Sequence, residues 1–146
     1  MTKVLIVDDE EVARLTLAEI LRLEGYEIKT VSSGEAAVEE LLRETYQVMI
    51  LDLKMNGMSG MDVIRETIDK IPDLSIIVLT AYGTIDSAIQ AIRYHVHDYL
   101  LKPVTPEQVL SSIKRAAADK KLPAQRVVRD SPEGGQPGEE RLPGGV

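Results

Sequence analysis

The chain has 146 residues and a formal net charge of −7, from 17 basic and 24 acidic side chains, and it contains no cysteine, phenylalanine or tryptophan. That length suits one domain with a sizeable core; the missing cysteines exclude disulfides and thiolate metal sites. The negative field opposes nonspecific binding to nucleic acid or anionic lipid, and without Phe or Trp there are few platforms for stacking bases.

Met1-Thr2-Lys3-Val4 turns apolar at once and reads as the start of a strand rather than a signal peptide. Val4–Val7, Val48–Leu51 and Ile76–Leu79 are continuous apolar runs rich in β-branched residues, the pattern of strands buried on both faces. Glu27–Val31 and Asp98–Leu101 are weaker strand candidates. Helical spacing of apolar residues appears at 13/17/20/21, 61/64/68/71, 85/88/89/92 and 109/113/116/117. Ser32-Gly34-Glu35 and Thr105-Pro106-Glu107-Gln108 fit capping boxes, and Gly25 follows the first helix as a C-terminal cap. Strand and helix thus alternate five times. Right-handed crossovers then give a doubly wound α/β fold, with a parallel sheet covered on both faces.

The composition breaks near residue 120. Residues 121–146 hold four prolines, five glycines and four charges of each sign, so they read as a disordered tail or linker. The whole net charge belongs to residues 1–120. No helical run is long enough for a membrane span, and the expectation is a cytoplasmic domain that contacts neither membrane nor nucleic acid directly.

In an open parallel sheet, ligands bind beyond the carboxyl ends of the strands. The first candidate strand runs into Asp8-Asp9, the third into Asp52, the fourth into Thr80-Ala81 and the fifth into Lys102-Pro103. Taken alone, each has an ordinary explanation: a helix cap, a surface hydroxyl, a strand end. Together they place three carboxylates, a hydroxyl and an ammonium around one shallow pocket. Crowded carboxylates repel unless a cation intervenes, and an all-oxygen cluster suits a hard divalent ion, Mg²⁺ first. Lys102 and Thr80 add partners for an anion, most naturally a phosphoryl group. A nucleotide or flavin site would need a glycine-rich turn where this chain has Asp8-Asp9-Glu10-Glu11. A phosphatase of the haloacid-dehalogenase type would need a second Asp where this chain has Lys54.

These residues, with Leu51-Asp52-Leu53-Lys54-Met55, Gly60 and Asp98-Tyr99-Leu100-Leu101-Lys102-Pro103, resemble the receiver domain of two-component response regulators over residues 3–118. The stretch Thr80-Ala81-Tyr82-Gly83-Thr84-Ile85-Asp86 is similar to receivers of the nitrogen-regulator type. The resemblance implies a flavodoxin-like, CheY-like (βα)5 domain over 1–120 with a five-stranded parallel sheet in the order 2-1-3-4-5. It implies that Asp52 accepts a phosphoryl group from a sensor histidine kinase or phosphotransfer protein. Asp9, Asp52 and the Lys54 carbonyl would ligate Mg²⁺, with Asp8 acting through a water. Lys102 and Thr80 would engage the phosphoryl group, Thr80 and Tyr99 would carry the switch, and Lys54 and Tyr82 would tune the acyl phosphate. The bond before Pro103 would be cis. The domain would be a signalling acceptor rather than a turnover enzyme. Its output would pass to an effector protein or domain, or to a homodimer, through the face of the fourth helix, fifth strand and fifth helix.

Three positions depart from that family. Asn56 stands where proline is frequent, which predicts a looser loop after the acceptor. His95-Val96-His97 replaces a Gly-Ala-aromatic turn and puts His95 at a left-handed helix terminus. Tyr82 is bulky and would screen the acceptor from water. The two histidines otherwise read as surface or packing residues, and Met55, Met58 and Met61 as packing.

Overall fold

The computed structural model describes residues 2–121; the tail or linker expected over 121–146 lies, from 122 on, outside them. Five strands and five helices alternate: β1 Lys3–Val7, α1 Glu11–Leu23, β2 Glu27–Val31, α2 Gly34–Arg43, β3 Val48–Leu51, α3 Gly60–Thr67, β4 Ser75–Thr80, α4 Ile85–Arg93, β5 Asp98–Leu101 and α5 Pro106–Lys121. All pairings are parallel and the order is β2-β1-β3-β4-β5, as the sequence predicts. The packing described below is that of the unit ending at Lys114; Arg115 opens a second unit within α5. Among the described residues, no helix is long and apolar enough to cross a membrane.

The apolar runs become the central strands because only there are both faces covered. Val4 to Val7, the whole of β3, and Ile76 to Thr80 are buried, whereas the edge strand β2 mixes exposed and half-buried positions. Register then sets the site. Val7 lies across from Val31 and Leu51, Leu51 from Val78, and Thr80 from Leu101. The ladder runs one residue further through Asp8 N–H to the Val31 carbonyl (3.3 Å), Asp52 N–H to Val7 (3.0 Å) and Lys102 N–H to Thr80 (2.9 Å). The chemistry-bearing residues therefore leave the sheet at one level, on backbone that is still hydrogen-bonded.

Helix starts show where sequence reading and structure part. Thr105 and Gln108 form the predicted reciprocal cap of α5. On α2 the cap is Ser33, not Ser32: Ser33 is extended and its Oγ accepts from Ala36 N–H, because the helix begins at Gly34. Reciprocal caps also form between Ser59 and Asp62 on α3 and between Thr84 and Ser87 on α4. The N-cap of α1, Glu10, makes no side-chain cap bond.

Two helix ends are built identically from different residues. After α1, Gly25 at φ +97° donates to Arg22 and Tyr26 donates to Leu21; after α4, His95 at φ +59° donates to Ile92 and Val96 donates to Ala91. Both are Schellman motifs, which want glycine at the left-handed position. A Cβ there costs about 1–2 kcal/mol, partly offset by the lower chain entropy of a non-glycine residue in the unfolded state. At the opposite end of the sheet from Asp52, buried Glu40 accepts from Tyr46 Oη (2.6 Å) and from Arg43, and Lys3 Nζ sits 4.8 Å from the Tyr46 ring centroid. The Tyr46 hydrogen bond first, and that of Arg43 second, hold the Glu40 carboxyl below its ordinary value.

His95→Gly is therefore expected to raise stability by about 0.5–1 kcal/mol, read as a higher urea midpoint; an unchanged or lower midpoint would show that the imidazole repays its strain. A depressed carboxyl stabilises the fold above its unfolded pKa of about 4.3 and loses that contribution as pH falls through the folded value. Urea midpoints measured from pH 7 to pH 3 should accordingly fall less steeply in Glu40→Gln than in the parent protein, and parallel curves would rule Glu40 out as a source of acid sensitivity.

Candidate phosphoacceptor site

Asp8, Asp9 and Asp52 converge at the carboxyl ends of β1 and β3, each offering an oxygen within 4.8 Å of the others. Asp8 and Asp52 are 6% and 7% exposed, and Asp9 stands out toward solvent. The gap is bridged by Lys102, whose Nζ lies 2.8 Å from Asp8 Oδ2 and 3.4 Å from Asp52 Oδ2. Burial alone would push this ammonium down, but the Asp8 hydrogen bond and the charges of Asp52 and Asp8 outweigh it and hold it above the usual lysine value. The Lys102–Pro103 peptide is cis.

Each carboxylate is also oriented by backbone. Asp8 Oδ1 accepts from Glu10 N–H (3.0 Å), Asp52 Oδ1 from Lys54 N–H (3.2 Å) and Asp9 Oδ2 from Asn56 N–H (3.0 Å). The last bond corrects the expectation of slack at position 56. A proline there would have no N–H to give; Asn56 has one, and it ties the loop after β3 to the β1–α1 turn. Gly60 completes the fit, because a Cβ on it would lie 2.4 Å from the Asp52 carbonyl oxygen.

These carboxylates open into a cavity of about 370 Å³ lined by Asp9, Glu10, Asp52, Lys54, Met55, Asn56, Ala81, Tyr82 and Lys102. Lys54 Nζ lies 4.3 Å from the Tyr82 ring centroid, so a cation–π pair links the loops after β3 and β4 across the mouth. A second cavity of about 580 Å³, mostly apolar, shares Asp52, Ala81 and Lys102 and extends along α1 toward Val109.

Thr80 is fully buried and its Oγ1 accepts from Tyr82 N–H (3.1 Å). Tyr99 packs its ring against the core and places its hydroxyl 2.6 Å from Ser87 Oγ. Ser87 Oγ also accepts from Thr84 N–H and donates to the Thr84 carbonyl (both 3.1 Å). Its single proton is then spent, so Tyr99 is the donor to Ser87. Gly83 allows the close approach of this loop, since a Cβ on it would fall 2.3 Å from Leu101 Cδ2 and 3.2 Å from the Tyr99 hydroxyl.

The structure thus brings Asp9, Asp52, Lys54, Tyr82 and Lys102 together at one cavity, joins Asp8 to them through Lys102, buries Thr80 at the end of β4, and sets Tyr99 on the α4 side. His95 and His97 lie on the turn after α4, away from it. Sequence reading missed Arg14, whose Nη1 donates 2.8 Å to the Asp8 carbonyl. The available signal was an arginine in the second turn of α1, where the positive end of the helix dipole disfavours a cation. It also missed Ser87, because serine is a weak match to the Glu or Gln of a capping box.

An acidic triad that fits a small hard cation, with a lysine poised beside it, suits a phosphoacceptor, and the comparisons agree. The chain is 37% identical to the response regulator protein FleR of Pseudomonas aeruginosa over 115 residues, 79% of this chain and 24% of that protein. It is 32% identical to an NtrX-like response regulator of Rickettsia bellii over 126 residues, 85% of this chain and 26% of that one. The chain therefore spans about a quarter of the length of the curated relatives it matches. Among solved structures, TrrA of Thermotoga maritima in complex with Mg²⁺ and BeF superposes with a TM-score of 0.73 at 35% identity, covering 80% of this chain and 99% of that one. The model of the response regulator receiver domain matches residues 4–114, and the chain belongs to that family.

Proposed function

We propose that this domain takes a phosphoryl group onto Asp52 from a phosphohistidine-bearing kinase or phosphotransfer protein. The observation that carries the reading is the meeting of Asp8, Asp9 and Asp52 with Lys102 at one end of the sheet. Asp9, Asp52 and the Lys54 carbonyl would hold Mg²⁺, with Asp8 reaching it through a water. The bound cation would neutralise charge on the transferring oxygens. Asp52 attacks phosphorus through a carboxylate oxygen; a P–O bond forms as the P–N bond breaks, and the imidazole leaves with the electron pair. Lys102 would turn from the carboxylates to the phosphoryl oxygens, and the Thr80 hydroxyl would donate a hydrogen bond to them. Positioning and charge do the work.

Signalling follows as a shift between two arrangements, the phosphoryl group binding better to the one in which Thr80 has moved toward it. Tyr99 and the loop before α4 follow, altering the α4–β5–α5 face. On that face Ile85 and Ile92 are 80% and 72% exposed, which suits a protein partner, an output domain or a second copy. The setting is the cytoplasm, where the phosphohistidine donor is made. The domain is a switch that is modified once per signal rather than a turnover enzyme.

Acetyl phosphate with Mg²⁺ should add one phosphoryl group per chain, read by intact mass. Asp52→Ala, or removal of Mg²⁺, should abolish the adduct; the same adduct in Asp52→Ala would exclude Asp52 as acceptor. Tyr82→Ala removes the ring over the pocket and its pairing with Lys54. It should shorten the half-life of the phosphorylated form about two- to fivefold, the equivalent of ~0.5–1 kcal/mol for an exposed cation–π pair. An unchanged half-life would mean that Tyr82 does not shield the acyl phosphate.

A further inference from the structure

Helices α2 to α5 each begin with a side-chain cap, from Ser33, Ser59, Thr84 and Thr105. Helix α1 begins without one. The residues that precede it are turned to the site instead: Asp8 divides its carboxylate between Lys102 and Glu10 N–H, and Asp9 is bound to Asn56 N–H. Beside the Glu10 N–H bond to Asp8 Oδ1, a second tie to the start of α1 comes from Arg14, reaching back six residues so that Nη1 donates 2.8 Å to the Asp8 carbonyl. That carbonyl lies one residue beyond the β1 pairings, which end at Val7 with Val31 and with Leu51. It emerges where the chain turns away from the sheet, and Arg14 supplies its donor. A guanidinium in the first half of a helix also opposes the helix dipole, a cost that a specific use would offset.

We propose that Arg14 is a positioning residue for the acidic site. Its bond to the Asp8 carbonyl fixes the β1–α1 turn, and so sets where Asp8 and Asp9 present their oxygens to a divalent cation. This rests on the metal-dependent reading of the site given above. It separates cleanly from the effect of Arg14 as a mere charge. Removing a positive charge near three carboxylates strengthens cation binding by Coulomb's law alone. Releasing the turn weakens it, as loss of an outer-shell partner does in other metal sites.

The test uses the full chain, Mg²⁺ alone as the probe, and four variants: Arg14→Met, Arg14→Gln, Arg14→Lys, and Arg43→Met as an arginine deletion at the opposite end of the sheet. Mg²⁺ affinity is measured by titration at constant ionic strength, and hydrogen exchange of the Glu10 amide is measured in the metal-free protein. Arg14→Met should weaken Mg²⁺ binding about tenfold and speed Glu10 exchange. Arg14→Lys, which keeps reach, donor and charge, should recover most of both, and Arg43→Met should change neither. Arg14→Gln is neutral and too short to span the gap, and it carries the same expectation as Arg14→Met should that variant fail to fold. Tighter Mg²⁺ binding in Arg14→Met and Arg14→Gln would overturn the proposal in favour of a simple charge effect. Parental Mg²⁺ affinity would overturn it: with faster Glu10 exchange Arg14 is a purely structural strap, and with parental exchange it does not hold the turn. If the parent protein itself binds no Mg²⁺, the metal-dependent reading falls, and Glu10 exchange alone decides whether Arg14 holds the turn.

Discussion

The mutual repulsion of three carboxylates governs this molecule. Asp8, Asp9 and Asp52 each bring an oxygen within 4.8 Å of the others because the register of β1 and β3 ends both strands at one level. A fold that forces like charges together must also supply what relieves them. Here the relief within the chain is Lys102, delivered from the far side of β4 by β5 and shared between Asp8 and Asp52. Under the proposed function, a divalent cation and a phosphoryl group would take over that role, and Lys102 would turn from the carboxylates to the phosphoryl oxygens. Backbone amides from Glu10, Lys54 and Asn56 do not neutralise the charge, but they fix its direction.

This explains why so much of the site was legible in the sequence. Strands buried on both faces must be continuous apolar runs, so the first polar residue after each run marks the carboxyl end of the sheet. Asp8, Asp52 and Lys102 follow directly from that rule, and Thr80 closes its own strand. The parallel order follows from the alternation of strand and helix. What stayed hidden depends on reach rather than on pattern. Ser32 and Ser33 are adjacent serines, and only the backbone angle of the second decides which caps α2. Arg14 and Ser87 act through side chains that cross from one element to another, which no periodicity encodes. His95 is the opposite case: the family resemblance puts it at a left-handed helix end, and the structure has it there at φ +59°.

A small group of hydroxyls lies between β4 and α4. Thr80 touches the Tyr82 amide at the end of β4, and Tyr99 touches Ser87 at the first turn of α4. Ser87 is at once the partner of that tyrosine and half of the cap that starts the helix. A movement of Tyr99 thus removes a hydrogen bond from the residue that holds the end of α4, so ring position and helix start are coupled through one oxygen atom. Gly83 keeps the connecting loop close enough for this to work.

The bond between Asn56 and Asp9 has an unusual genetic profile. Its donor is the main chain, so the asparagine side chain is irrelevant to it. Substitution by alanine, aspartate or any other residue with an amide hydrogen preserves the link, and a conventional alanine scan would report position 56 as silent. Only proline deletes it. Position 56 acts as a two-valued setting, tethered or untethered.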